Sequence, residues 1–118
     1  MIQDRHFDDS VYRPGIPVKI GIEVVPDFSV LAYALEETPP VGWEISGINN
    51  SGHFVGGIIK WGVFFDSNGR SFAYEAKPPL NQAGEAFWAG LISLDGVSTP
   101  IEGALSLSLD QEPPSRPI

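Results

Sequence analysis

An all-β fold, built as an antiparallel two-sheet sandwich of roughly seven to nine strands, is what this sequence predicts. Apolar and polar residues alternate with a period of two in run after run, the pattern of strands with one buried face. Turn signals recur about every ten residues, which suits a sandwich better than a barrel. No window carries good helix-forming residues at helical spacing, and no βαβ alternation points to a parallel sheet. The 13 glycines and 11 prolines among 118 residues fall between the apolar runs, where short strands would need turns.

Residues 1–14 are polar and charged, and are expected to form an N-terminal arm with room for a short edge strand near Ser10–Tyr12. The β-sandwich domain is expected over 15–110. Its first strong strand is Val18–Val25, where Val18, Ile20, Ile22 and Val24 alternate with Lys19, Gly21 and Glu23 before Pro26 and Asp27 stop the run. Val30–Glu37 follows with Leu31, Tyr33 and Leu35 on one face, and Thr38-Pro39-Pro40 ends it because proline supplies no ladder donor. Val41, Trp43 and Ile45 share the next inward face. Ser46–Gly57 is rich in glycine and asparagine and reads as a loop with Phe54 and Val55 tucked inward.

Ile58–Phe65 places Ile59, Trp61 and Val63 in phase. Asp66-Ser67-Asn68-Gly69 is then a hairpin signal, returning the chain through Ser71–Lys77 with Phe72 and Tyr74 inward. Glu85–Leu94 is the longest strand candidate, Asp95-Gly96 a second hairpin, Ser98–Glu102 its return arm, and Ala104–Leu109 a continuation or last strand. Residues 111–118 hold three prolines and are expected to be a proline-rich tail.

Formal net charge is −8, which repels the nucleic-acid backbone and anionic membranes and makes calcium or a basic surface the electrostatically easier partner. The acidity also serves solubility alone. With no cysteine, disulfides, zinc–thiolate sites and cysteine nucleophiles are excluded. Met1–His6 shows neither a basic nor an apolar segment, so it does not read as a signal peptide, and no apolar run approaches the ~18 residues of a membrane span.

The central residues carry a longer pattern. Tyr33-Ala34-Leu35-Glu36-Glu37-Thr38-Pro39-Pro40-Val41-Gly42-Trp43 is followed by Gly57, Ile58 and Lys60-Trp61-Gly62-Val63-Phe64-Phe65-Asp66. Phe87, Gly90, Ser93, Asp95-Gly96, Ile101 and Gly103 complete it. Over residues 18–105 this resembles an immunoglobulin-like β-sandwich repeat module of large bacterial secreted and cell-surface proteins, with Val63 where that module usually has proline. The resemblance implies an immunoglobulin-like sandwich, an extracellular or cell-surface location and a structural role, and it supplies no catalytic residue. A chain consisting of one such module would make its own contacts, self-assembly among them.

The residues that could carry chemistry do not form a constellation. His6 and His53 lie outside any metal-ligand spacing, no G-x-S-x-G elbow occurs, and Ser51-Gly52-His53 merely sets the residue types side by side. Adjacent strand residues point to opposite faces, so Glu36 and Glu37 cannot act as a glycosidase pair; one is expected in solvent and the other at the sheet margin. Asp66-Ser67-Asn68-Gly69, with Asp8, Asp9 and Asp27, offers oxygen ligands for calcium, but position twelve counted from Asp66 is Lys77, not the bidentate glutamate of an EF-hand. Turn chemistry accounts for these residues without a cofactor. Gly52–Gly57 lacks the helix and Lys-Ser or Lys-Thr pair of a phosphate loop. A Lys–Asn crosslink is disfavoured because Asn49, Asn50, Asn68 and Asn81 fall in expected loops.

Aromatics remain as binding devices. Trp43 and Trp61 are in phase with core residues. Both faces of the strand around Trp88 are apolar, so Trp88 is either buried, the weightier reading, or the centre of an exposed platform. Val11, Tyr12 and Trp88 are therefore the candidate interaction residues. The sequence points to a non-catalytic extracellular structural module contacting protein, including copies of itself. The alternative is a carbohydrate-binding module that stacks polysaccharide on an exposed aromatic such as Trp88.

Overall fold

The structure, a computed structural model, describes residues 1–110. The strands are β1 (Ile2–Phe7), β2 (Val11–Tyr12), β3 (Val18–Val25), β4 (Tyr33–Thr38), β5 (Glu44–Ser46) and β6 (His53–Val55). They continue with β7 (Ile58–Phe64), β8 (Arg70–Lys77), β9 (Ala86–Phe87), β10 (Ala89–Leu94), β11 (Val97–Pro100) and β12 (Ser106–Leu109). A four-stranded sheet in the order β1-β3-β8-β5 faces a five-stranded sheet in the order β11-β10-β4-β7-β6. A small three-stranded ribbon, β2-β12-β9, closes one end; its β2–β12 pair is parallel, the other strand pairs are antiparallel, and Arg5 and Gly103 form an isolated parallel bridge.

The expectation of two sheets and seven to nine strands thus becomes twelve strands in three sheets among the described residues. Two causes account for the difference. The long run Glu85–Leu94 breaks at Trp88, whose backbone N–H bonds to Leu105: β9 joins the ribbon and β10 joins the five-stranded sheet. The arm, residues 1–14, contributes β1, which pairs with β3 over six rungs, and β2. In β1 the single buried side chain is that of Arg5, so hydrophobic periodicity has nothing to detect there.

The core lies between the two larger sheets. Ile20, Ile22 and Val24 of β3 and Phe72, Tyr74 and Ala76 of β8 meet Leu35, Ile59, Trp61 and Ile92 from the opposite sheet. At the ribbon end Trp88 packs on Phe7 (ring centroids 4.6 Å apart) and Trp43 (5.3 Å), and Trp43 in turn meets Tyr12. Such tilted and edge-on pairs add to area burial about 0.5–1.5 kcal/mol each.

Three local expectations are corrected. Asp66–Gly69 is no hairpin, because β7 pairs within the five-stranded sheet and β8 within the other. The connection instead crosses between sheets: Arg70 grips Asp66 with both terminal nitrogens, Asp66 accepts from the Asn68 backbone, and the guanidinium lies 3.9 Å from the Phe64 ring centroid. Val63 is exposed rather than inward. Gly62, at φ +101°, sits at a bulge where Tyr33 pairs with Phe64 while Leu35 pairs with Trp61, so Phe64 takes the inward position. Leu31, Val41, Phe54 and Val55 are also exposed, the first two because they stand in loops and the others because β6 is an outer edge. Asp95-Gly96 does form the expected hairpin, with φ of 49° and 85°, and the proline-rich tail falls outside the described residues.

Candidate functional site

Of the residues singled out from sequence, Tyr12 is 0% and Trp88 3% exposed, and Val11 is half-buried. Tyr12 donates to the Gly84 carbonyl at 2.6 Å, fixing the loop before β9. Trp88 occupies the buried side of the choice the sequence posed. These three residues are not brought together as an accessible surface on this chain.

Sequence reasoning missed a buried ion pair. Glu37 follows Tyr33 and Leu35 on the inward face of β4 and is fully buried, not at the sheet margin. Arg5 Nε donates to Glu37 Oε2 at 2.8 Å and Nη2 to Oε1, while Nη1 reaches the Ala104 carbonyl at 3.0 Å. The Tyr74 hydroxyl also donates to Oε2, at 2.8 Å. Burial first, then the adjacent carboxylate, pushes the Tyr74 phenol well above its ordinary pKa. The buried Trp88 Nε1 has no hydrogen-bond partner among the described residues. Sealed from solvent, this cluster ties β1 to β4 and β8 and presents no reacting surface. The signal that could have found it is parity, which places Glu37 in line with Leu35.

The acids considered for calcium are occupied by protein donors. Arg70 beside Asp66 holds its carboxyl at about 2. Asp9 is lowered chiefly by Arg13, Asp8 accepts from the Lys19 backbone, and Asp27 pairs with the Met1 ammonium at 2.9 Å. Among the described residues no three His, Asp or Glu side chains gather to hold a metal. His6 stands 3.4 Å from Glu23, and His53 lies on exposed β6. Asn49 and Asn50 donate to the Ser71 carbonyl instead of meeting a lysine.

The two outer faces differ in chemistry. On the four-stranded sheet the outward positions of paired strands are charged: Asp4 opposite Glu23, Lys19 opposite Glu75, Glu44 opposite Lys77. On the five-stranded sheet the corresponding face is smooth. Its central row reads His53, Lys60, Glu36, Leu91, Pro100 across five strands. The row on one side holds Val55, Ile58, Thr38 and Ala89, and the row on the other Gly62, Ala34, Ser93 and Ser98. Leu91, 45% exposed, stands between two shallow troughs that share Glu36 as a wall. Apart from His53, Lys60 and Glu36, the side chains of this face are small, hydroxyl-bearing or apolar, in contrast to the charged rows of the other sheet.

No family model matches the chain, and no curated protein does. Among solved structures it is similar to the reeler domain of human F-spondin, with a TM-score of 0.64 and 13% identity over 92% of this chain and 88% of that one. It is also similar to an uncharacterised protein from Nocardia farcinica with an immunoglobulin-like fold (TM-score 0.59, 10% identity, 91% of this chain and 96% of that one). The likeness defines the fold: an all-β, mostly antiparallel immunoglobulin-like sandwich.

Proposed function

We propose that this chain is a non-catalytic structural module that works by protein–protein contact, with residues 15–110 as the module and 1–14 as the strap that closes it. The contrast between a charged face and a smooth one carries the reading, and the contact is assigned to the outer face of β4, β7 and β10 around Leu91. An extracellular or cell-surface setting is supported by the resemblance over residues 18–105 to modules of bacterial surface proteins. The absence of catalysis is supported by the way the titratable groups are spent, on the sealed Arg5–Glu37 pair and on turn-forming acids. Protein is favoured over polysaccharide because all three Trp and all three Tyr are buried, leaving no indole or phenol to stack on a sugar. No described helix is long and apolar enough to cross a membrane.

A photo-crosslinking residue at Leu91, compared with one at Glu75 on the charged face, tests this in cells that make the protein. Protein adducts from Leu91 in clear excess over Glu75 are expected. Equal labelling from both faces, or adducts to glycan, would sink the reading.

A further inference from the structure

Resting on that contact face, we infer that its partner is the same face of a second copy, related by a two-fold axis lying along the strands between β4 and β7. A two-fold interface requires a surface complementary to itself, and this one is. Across that axis Glu36 and Lys60 exchange places, so each carboxylate faces the partner copy's ammonium. The same rotation sets Thr38 against Ile58, Ala89 against Val55, Ala34 against Gly62 and Leu91 against His53. Small meets small at Ala34 and Gly62. Apolar meets apolar at Ala89 and Val55.

Charge selects this face over the others. Two chains of net charge −8 repel as whole bodies, so association needs a patch that is itself neutral. Glu36 and Lys60 cancel, and they form a long, solvent-exposed pair of 3.8 Å within one chain, the weak kind of surface pair that can be exchanged for a contact across the interface. On the charged face Asp4, Glu23, Glu44 and Glu75 outnumber Lys19 and Lys77, so two copies meeting there would bring together two net acidic patches.

Sedimentation of the full chain over a concentration series tests the proposal. A reversible monomer–dimer equilibrium is expected. Glu36→Lys and Lys60→Glu should each weaken it by about tenfold or more, since each variant sets like charges together. The combined E36K/K60E chain has the parent's net charge and restored complementarity, and should recover dimerisation to within a few-fold of the parent. Leu91→Asp should abolish the dimer with an unchanged melting curve. A chain that stays monomeric throughout overturns the self-pairing, while photo-crosslinking from Leu91 judges the contact reading separately. A dimer indifferent to both charge reversals also overturns it. So does one lost only on substitution of Phe28 and Phe65, the exposed aromatics of the loops at one end.

Discussion

Arg5 and Glu37, on strands of opposite sheets, form a two-point ion pair from which water is excluded, their residues 1% and 0% exposed. Burying two charges costs several kcal/mol each, recovered only when every donor and acceptor is matched. Here Tyr74 and the Ala104 carbonyl supply the remaining partners. Removing one member strands the other, so Arg5→Met and Glu37→Met should each cost about 3–5 kcal/mol. The double variant should lie within about 2 kcal/mol of the parent, because an apolar pair of similar volume leaves no buried charge. Urea unfolding of the four proteins closes the cycle; additive losses would show that the pair is not coupled.

Gly90 leaves the space that pair occupies. A Cβ on it would stand 2.6 Å from Glu37 Oε1, 2.7 Å from Ile101 Cδ1 and 2.9 Å from Arg5 Nη2. Gly90→Ala should therefore cost about 1–3 kcal/mol. The cost should shrink when Arg5 is already methionine, since a flexible side chain can yield where a guanidinium held at three points cannot. An equal cost in both backgrounds would assign the strain to Glu37 and Ile101 and not to Arg5.

These residues also mark where the sequence was legible. Alternation placed β3 and β8 correctly, because each has one wet and one dry face, and Asp95-Gly96 announced its hairpin through residues that tolerate positive φ. β1 was illegible because its buried residue is an arginine whose partner lies 32 positions away. Val63 was misplaced because a bulge at Gly62 resets the parity beyond it. Asp66–Gly69 has hairpin chemistry but joins two sheets, a choice made by the Arg70 contacts and the packing of Phe64. The smooth contact face was hidden for a related reason: it exists only once five strands are in register, and no one of them carries its pattern.

Asp66 supplies an acid-dependent share of stability. Its carboxyl lies near 2, against 3.8 for an unperturbed one, chiefly through the bond from Arg70. A carboxylate whose pKa falls on folding stabilises fully above its unfolded value, and that contribution is lost as pH drops through the folded value. The window is therefore about pH 4 down to 2. Asp66→Asn should be less stable than the parent at pH 6, and the gap should close across that window. Asp9, also lowered, remains in both proteins and cancels in the comparison. A gap that is independent of pH would show that the Asp66–Arg70 pair contributes no linkage.

Trp61 and Val63 separate periodicity from structure. Alternation puts both in the core, but Trp61 is buried against Phe72 and Tyr74, its ring centroid 5.2 Å and 6.1 Å from theirs, while Val63 is 55% exposed. Trp61 Nε1 also donates to the Asn49 carbonyl at 2.8 Å, anchoring the loop before β6. Trp61→Ala should cost about 3–5 kcal/mol by opening a cavity between the sheets. Trp61→Phe should cost less, retaining ring contact while leaving the Asn49 carbonyl without its donor. Val63→Ala should stay within about 0.5 kcal/mol of the parent, as surface changes generally do. Thermal melts of the three variants decide the matter. Comparable losses at positions 61 and 63 would mean that the strand runs in unbroken alternation and that the bulge at Gly62 is absent in solution.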